Sequence, residues 1–213
     1  MHREQGGTGP VGFDLDMTLI DSRRAILVTW SALAAETGVP VDLADVDRRL
    51  GAKLEDEIAQ WFPPGQRDDA VASYRRHYLT VAGELTTALP GAAEALAAVR
   101  QAGQAAVIIT AKHVSSVGPS LAAAGLSGLS GDDLFTDVHG AGKAAVLARI
   151  SAAAYVGDTP ADMQAATAAG VTAVAVPTGS FPPADLRAAG ADVVLASLHE
   201  FPAWYAAIAQ SPG

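Results

Sequence analysis

The sequence predicts an α/β protein: a doubly wound parallel sheet with an all-helical unit inserted after its first strand. From residue 90 onward, short apolar runs alternate with helical segments, which is the pattern of βαβ units. The first apolar run, residues 11–14, lies far upstream of these units, and residues 21–87 between them have no pattern typical of a strand. We therefore predict an α/β core of residues 1–20 and 88–213 and a helical domain of residues 21–87.

Four helices are predicted in the insertion. Apolar residues recur at helical spacing in each of them, and Gly38, Gly51 and the Pro63-Pro64-Gly65 run lie at their ends. The predicted helices span residues 23–37, 42–50, 53–62 and 66–82.

The rest of the chain alternates between the two element types. Apolar β-branched runs predict strands, and Gly103, Gly125 and Gly170 follow helical segments as expected of helix ends. The predicted strands span residues 105–110, 134–138, 153–157, 171–176 and 191–195. The predicted helices span residues 90–101, 115–124, 144–150, 160–169, 183–189 and 198–209.

The composition limits the possible functions. Half of the 213 residues are hydrophobic, which suffices for one core and a small second unit. The net charge of -9 argues against nucleic acid or an anionic membrane as partner, and the lack of cysteine excludes thiol chemistry. Residues 1–10 are polar and glycine-rich, unlike a secretory signal, and no apolar run reaches the length of a membrane span. We expect a cytoplasmic monomer or homodimer.

Two carboxylates, Asp14 and Asp16, follow the first strand with one residue between them. Carboxylates at the end of a core strand are costly to bury unless a cation or a shared proton compensates them. Asp14 is therefore a candidate nucleophile or metal ligand, and Asp16 a candidate for proton transfer. The alternative is a plain turn, since Asp favours strand ends and helix caps.

Further polar residues lie where other predicted strands end. Thr110 ends one strand, Asp158 follows another with Asp162 one helical turn later, and Lys143 precedes a helix. Ligands bind at the carboxyl ends of parallel strands, so these side chains are expected to converge on one edge of the sheet. Taken singly, Asp162 could serve only the helix dipole, Lys143 could be solvated and Thr110 could simply end a strand.

These residues resemble four motifs of the haloacid dehalogenase (HAD) superfamily, in the family's order. The motifs are Asp14-Leu15-Asp16-Met17-Thr18, Thr110, Lys143 and Gly157-Asp158-Thr159-Pro160-Ala161-Asp162-Met163. The resemblance covers nearly the whole chain and is greatest to phosphoglycolate phosphatase-like members. It implies a Rossmann-like core, and it implies that the helical insertion is a cap of the C1 type.

The resemblance also implies a catalytic cycle. Asp14 would attack phosphorus to form an aspartyl-phosphate, and Asp16 would protonate the leaving group and then deprotonate water. Mg²⁺ would be held by Asp14, Asp158 and the backbone carbonyl of Asp16, with Asp162 supporting the metal or Lys143.

Substrate binding is assigned to both parts of the chain. Thr110, Lys143 and the amide of Ala111 would hold the phosphoryl group. In the cap, Arg49 and Lys53, with Arg48 beside them, suit a carboxylate or second phosphate on the substrate, although solvated helix faces explain them equally well.

Two residues differ from the family's usual pattern, and three polar residues are given no role in the site. Met17 stands where the family usually has Gly, and Ala111 where Asn is common. Lys112 and His113, beside Thr110, are interpreted as surface residues. His139 is interpreted as a loop residue.

The sequence therefore predicts a Mg²⁺-dependent phosphatase that hydrolyses a small phosphorylated metabolite. A β-phosphoglucomutase-like transferase is an alternative, disfavoured because Thr18 stands where such enzymes usually have Val or Ile. Asp16 argues against a dehalogenase and a phosphonate hydrolase. A catalytically silent interaction protein is disfavoured because all four motif aspartates are present.

Overall fold

The computed structural model describes residues 9–126, 128–129 and 131–209. Among these residues, six parallel strands form one sheet and two short strands form a second. The strands are β1 (Val11–Phe13), β2 (Ile20–Asp21), β3 (Thr87–Ala88), β4 (Ala106–Ile109), β5 (Leu134–Phe135), β6 (Ala154–Gly157), β7 (Thr172–Ala175) and β8 (Val193–Val194). The order β5-β4-β1-β6-β7-β8 confirms the predicted doubly wound α/β class. Residues 1–8 of the polar amino-terminal segment lie outside the described residues.

Helices account for most of the remaining described chain. They are α1 (Arg23–Thr37), α2 (Leu43–Arg48), α3 (Leu54–Trp61), α4 (Arg67–Leu85), α5 (Ala92–Gln101), α6 (Val114–Ala123), α7 (Ala141–Arg149), α8 (Pro160–Ala169), α9 (Pro183–Ala188) and α10 (Phe201–Ala209). In residues 9–126, 128–129 and 131–209, none of these helices combines the length and the apolar character that crossing a membrane requires.

Strand β1 is central and buried on both faces, between β4 and β6. Its Phe13 contacts Phe201 of α10 on one face, with the ring centroids 5.4 Å apart. Gly12 faces the other side, where a Cβ atom would lie 2.9 Å from the ring of Tyr155 and 3.1 Å from Leu147. The glycine thus lets Leu147 of α7 and the ring of Tyr155 pack directly against the strand, and side chains on both faces fix β1.

Helices α1 to α4 pack around a hydrophobic cluster of their own. Its fully or nearly fully buried members are Trp30, Leu33, Val46, Ile58, Phe62 and Ala70. A separate cluster is compatible with an independent cap domain, whose bounds at residues 21–87 stay a prediction.

Two connections join this helical unit to the core, and here one prediction was wrong. Residues 21–87 were expected to contain no strand, yet Asp21 of β2 and Thr87 of β3 are paired in an antiparallel ribbon. Each strand has only two residues, which is too short for any hydrophobic periodicity to mark it. The ribbon ties the two connections together where the helical unit begins and ends.

Several predicted boundaries also differ from the structure. Helix α7 begins at Ala141, so Lys143 lies inside its first turn and not before it. Strand β5 ends at Phe135, three residues early, and the last predicted helix divides into a 3₁₀ turn, Leu198–Glu200, followed by α10. Pro202 explains the division, because it has no amide hydrogen and is tolerated only near the start of an α-helix.

Candidate active site

The site begins at the end of β1. The Asp14 amide donates to the Val156 carbonyl at 2.9 Å, which continues the pairing with β6 and fixes the Asp14 backbone. The chain then turns sharply, with the Met17 amide donating to the Ile20 carbonyl at 2.8 Å. Met17 adopts a φ of 60°, in the left-handed region that favours glycine. This explains why a glycine is usual at that position in the family.

Three carboxylates meet beside this turn. One oxygen from each of Asp14, Asp158 and Asp162 lies within 4.8 Å of the others, and all three residues are buried. Lys143 is the ammonium among them: its Nζ donates to Asp14 Oδ1 at 2.9 Å and to Asp162 Oδ1 at 2.7 Å. The Thr18 hydroxyl donates to Asp158 Oδ1 at 2.8 Å. The structure therefore brings together three of the four predicted acids and the predicted lysine at one sheet edge.

Asp162 combines the two roles that the sequence left open. Its Oδ2 accepts from the Thr159 hydroxyl at 2.6 Å, and the two residues form a capping box at the start of α8. Its Oδ1 accepts from Lys143 and, at 3.3 Å, from the Tyr155 hydroxyl. Gly157 makes room for it, since a Cβ there would lie 2.4 Å from Asp162 Cβ. With both oxygens occupied, Asp162 is better placed to orient Lys143 than to bind a metal.

Burial of this cluster has a large electrostatic cost. Burial raises the pKa of Asp14 to about 6, and burial together with the Asp162 and Asp14 charges raises the pKa of Asp158 well above its usual value. Burial alone would lower the pKa of Lys143, but Asp14 and Asp162 outweigh it and hold that pKa well above its usual value. One ammonium thus balances three carboxylates. A divalent cation that prefers oxygen ligands fits this donor set and charge.

Asp16 lies in the turn that follows β1, with 22% of its side chain exposed. Its Oδ1 accepts two hydrogen bonds, from the Ser22 hydroxyl at 2.6 Å and from Lys112 Nζ at 2.7 Å. Among the described residues, its Oδ2 has no hydrogen-bonding partner. Asp16 therefore has one anchored oxygen and one that is available to a ligand.

The interpretation of Lys112 as a surface residue was wrong. Only 7% of its side chain is exposed, and its Nζ also donates to the Tyr78 hydroxyl at 2.7 Å. Burial alone would lower its pKa, but the charge of Asp16 and the hydrogen bonds to Asp16 and Tyr78 outweigh this and raise it. The residue lies in a loop, where periodicity carries no information. Its position two residues after Thr110, at the same sheet edge, was the signal that could have identified it.

A cavity of about 450 Å³ lies between this sheet edge and the helical unit. Its lining includes most of the predicted site residues, namely Asp14, Asp16, Arg49, Lys53, Thr110, Ala111, Lys143 and Asp162. Lys112, His113 and His139 line it as well, so His113 and His139 belong to the cavity wall. Burial lowers the pKa of His139, which favours the neutral imidazole.

The two predicted arginines are both paired within the helical unit. Arg49 forms an ion pair with Asp45 and donates to Glu57 at 2.7 Å and 3.0 Å, and Arg48 pairs with Asp45 at 2.5 Å. Lys53 is less constrained, with Glu55 3.9 Å away. Of these three cations, Arg49 and Lys53 line the cavity, and the ion-pair partner of Lys53 is farther away than those of Arg49.

The fold and this site place the chain in a family. Residues 11–176 match the sequence profile of the haloacid dehalogenase-like hydrolases, so the chain belongs to that family and is a hydrolase. This confirms the resemblance drawn from the four motifs.

Particular relatives narrow the comparison. A phosphoglycolate phosphatase of Cupriavidus necator is 32% identical over 207 residues, covering 89% of this chain and 90% of the relative. A phosphoglycolate phosphatase of Caulobacter vibrioides is 29% identical over 220 residues, covering 95% and 92%. A haloacid dehalogenase-like hydrolase structure from Streptococcus pneumoniae superposes with a TM-score of 0.78 at 23% identity, covering 92% of this chain and 98% of that one. The structural likeness supports the fold alone.

Proposed function

We propose that the protein is a Mg²⁺-dependent phosphatase that hydrolyses a small phosphorylated metabolite through an aspartyl-phosphate on Asp14. The observation that carries this proposal is the buried group of Asp14, Asp158 and Asp162, whose carboxylates have a single lysine among them. Such a group is costly in an apolar core unless a cation and an anionic substrate complete it. Two of its members, Asp14 and Asp162, line a cavity large enough for a small molecule.

The cation would be held by the carboxylates of Asp14 and Asp158 and by the backbone carbonyl of Asp16. Thr18 supports this assignment, because its hydroxyl occupies one oxygen of Asp158 and leaves the other for a ligand. When bound, Mg²⁺ would neutralise charge that otherwise makes a carboxylate and a phosphate repel each other. Asp162 would act indirectly, by holding Lys143 against Asp14.

The protein's own groups then divide the work. Asp14 Oδ1 accepts from Lys143, while Oδ2 accepts no hydrogen bond from the described residues, so Oδ2 is the candidate nucleophile. It would form the bond to phosphorus as the bond to the leaving oxygen breaks. Thr110 and Lys143 would hold the equatorial oxygens. Asp16 Oδ2 would give its proton to the leaving oxygen, and would then take a proton from the water that attacks the aspartyl-phosphate.

Phosphoglycolate is our first candidate among substrates. Two relatives that cover most of this chain are named phosphoglycolate phosphatases. A substrate of that class carries a carboxylate, and Lys53 in the cavity wall is a cation with only a distant partner to receive it. The cavity volume also favours a small molecule over a nucleic acid or a protein.

Release of inorganic phosphate tests the reaction. The purified protein is assayed with phosphoglycolate, sugar phosphates and p-nitrophenyl phosphate, with Mg²⁺ and with EDTA. We expect hydrolysis when Mg²⁺ is present and none when EDTA removes it. Transfer of phosphate between positions of a sugar, without its release, would instead support the mutase alternative, and no turnover of any substrate would refute the enzyme assignment.

Chemical trapping tests the intermediate. Borohydride reduces an aspartyl-phosphate to homoserine, and mass spectrometry of the quenched enzyme then locates the modified residue. We expect homoserine at position 14 after mixing with substrate and Mg²⁺. The Asp14→Asn variant should neither turn over nor be reduced there. Homoserine at another aspartate, or full activity of Asp14→Asn, would refute the assignment of the nucleophile.

A further inference from the structure

Lys112 connects the proton-transferring carboxylate to the helical unit. Its Nζ donates to Asp16 Oδ1 at 2.7 Å and to the hydroxyl of Tyr78, which lies on α4, at 2.7 Å. The same ammonium lies 4.2 Å from the centroid of the Tyr78 ring. Lys112 thus uses two donors and its charge on partners from opposite sides of the cavity.

The backbone of Lys112 is fixed on the core side. Its amide donates to the Thr110 hydroxyl at 3.1 Å, and its carbonyl accepts from the Asp137 amide at 3.1 Å. Tyr78 is equally constrained, being only 3% exposed and within 3.3 Å of the Ser120 hydroxyl on α6. The side chains of Lys112 and Tyr78, which link Asp16 to α4, are therefore buried and held in well-defined positions.

The arrangement matters because of what it leaves free. Lys112 and Ser22 both hold Oδ1 of Asp16, and no described residue donates to Oδ2. A carboxylate anchored by one oxygen presents the other in one direction, and this reduces the motion that must be lost when a leaving group is protonated. The ammonium of Lys112 already donates to Asp16 and Tyr78, so it is not a free cation that would bind an anionic group of the substrate.

We propose that Lys112 is a positioning residue that aims Asp16 Oδ2 at the leaving oxygen, and that Tyr78 makes this positioning depend on docking of the helical unit. The inference rests on the proposed phosphatase reaction. Neither residue touches the phosphorus. Both act through Asp16, at the step in which the proton moves from Asp16 Oδ2 to the leaving oxygen as its bond to phosphorus breaks.

The test compares two substrates that differ in their need for that proton. Phenyl phosphate and p-nitrophenyl phosphate are similar in shape and charge, but p-nitrophenolate leaves readily without protonation while phenolate does not. The variants are Lys112→Met and the milder Tyr78→Phe, which keeps the buried ring. Tyr74→Phe is the matched control. The ring of Tyr74 is stacked on that of Tyr78, with the centroids 6.4 Å apart, but among the described residues Tyr74 forms no hydrogen bond with Lys112.

General acid catalysis contributes a factor of about 10²–10⁴. We expect Lys112→Met to lower kcat/KM for phenyl phosphate at least about 10-fold more than for p-nitrophenyl phosphate. Tyr78→Phe should shift the same ratio in the same direction by about 3-fold, and Tyr74→Phe should leave it unchanged. The kcat/KM value isolates the step up to departure of the leaving group, so later water activation does not obscure the result.

Each other outcome bears on the inference. Equal losses for both substrates in Lys112→Met and Tyr78→Phe would indicate a structural role and overturn it. A ratio that changes in Lys112→Met but not in Tyr78→Phe would overturn the role of the helical unit. If the wild-type protein hydrolyses neither substrate in Mg²⁺, the proposed function itself fails. If the wild-type protein is active but the variants lose activity equally on both substrates, only the positioning role fails. Thermal unfolding of each variant identifies any that has not folded.

Discussion

Replacement of Met17 tests the strain in the turn that follows the nucleophile. Met17 has a φ of 60° and is only 4% exposed, so the position combines an unfavourable backbone conformation with a buried side chain. Its backbone is held in place by the bond from the Met17 amide to Ile20 and by the Thr178 hydroxyl, which donates to the Met17 carbonyl. We predict that Met17→Gly is more stable than Met17→Ala.

The magnitude follows from opposing effects. Both variants lose the buried side chain, which costs about 2–5 kcal/mol. Alanine keeps the left-handed strain of about 1–2 kcal/mol, whereas glycine relieves it. Glycine in turn loses about 0.5–1 kcal/mol through the greater freedom of the unfolded chain. Both variants should therefore be less stable than the wild type, with Met17→Gly about 1 kcal/mol more stable than Met17→Ala.

Urea unfolding followed by circular dichroism measures the difference. Met163 supplies the matched control, because it is fully buried but lies inside helix α8. Inside a helix, alanine is more stabilising than glycine by about 1 kcal/mol. The preference should therefore reverse between the two positions. If Met17→Ala is as stable as Met17→Gly, the strain at this turn is not what distinguishes the position.

Two further predictions concern the carboxylates and the cap loop. In EDTA, ionisation of Asp14 costs up to about 3 kcal/mol, because burial raises its pKa from 3.8 to about 6. The free energy of unfolding, measured by urea titration at several pH values, should thus fall as the pH rises between these two values, and it should fall less in Asp14→Asn. Equal slopes in the two proteins would contradict this. Gly51 has a φ of 95°, and a Cβ there would lie 2.8 Å from Thr159 Cγ2. We expect Gly51→Ala to lower kcat/KM about 10-fold by obstructing approach of the cap to the core, while Gly65→Ala, in open space, is neutral; equal effects would refute this.

The sequence allowed the fold class to be predicted because the signals were local and repeated. Helices α1 and α8 begin and end where the periodicity and the flanking Gly38 and Gly170 indicated. Buried strands such as β4 and β6 stood out as apolar runs. The β2–β3 ribbon could not be predicted, since its pairing joins residues far apart in the chain and each strand has only two residues.

The candidate site was predictable to the extent that strand ends determine it. Asp14, Thr110 and Asp158 follow parallel neighbouring strands, so their proximity follows from topology. Lys112 was misjudged because its burial depends on Tyr78, which comes from the other side of the cavity. The ion pairs of Arg49 were equally hidden, because Glu57 lies on the next helix and only the packing of the cap brings it near.

The placement of the insertion itself has a mechanistic consequence. Asp14 is fixed by its bond to β6 and by Lys143, all within the core. Asp16, two residues later, is held by Ser22 at the start of α1 and, through Lys112, is linked to Tyr78 of α4. Rotation of the cap about the β2–β3 ribbon would therefore move Ser22, which holds Asp16 directly, and Tyr78, which holds Lys112, and would leave the partners of Asp14 in place. Docking of the cap is thus expected to govern proton transfer more strongly than nucleophilic attack.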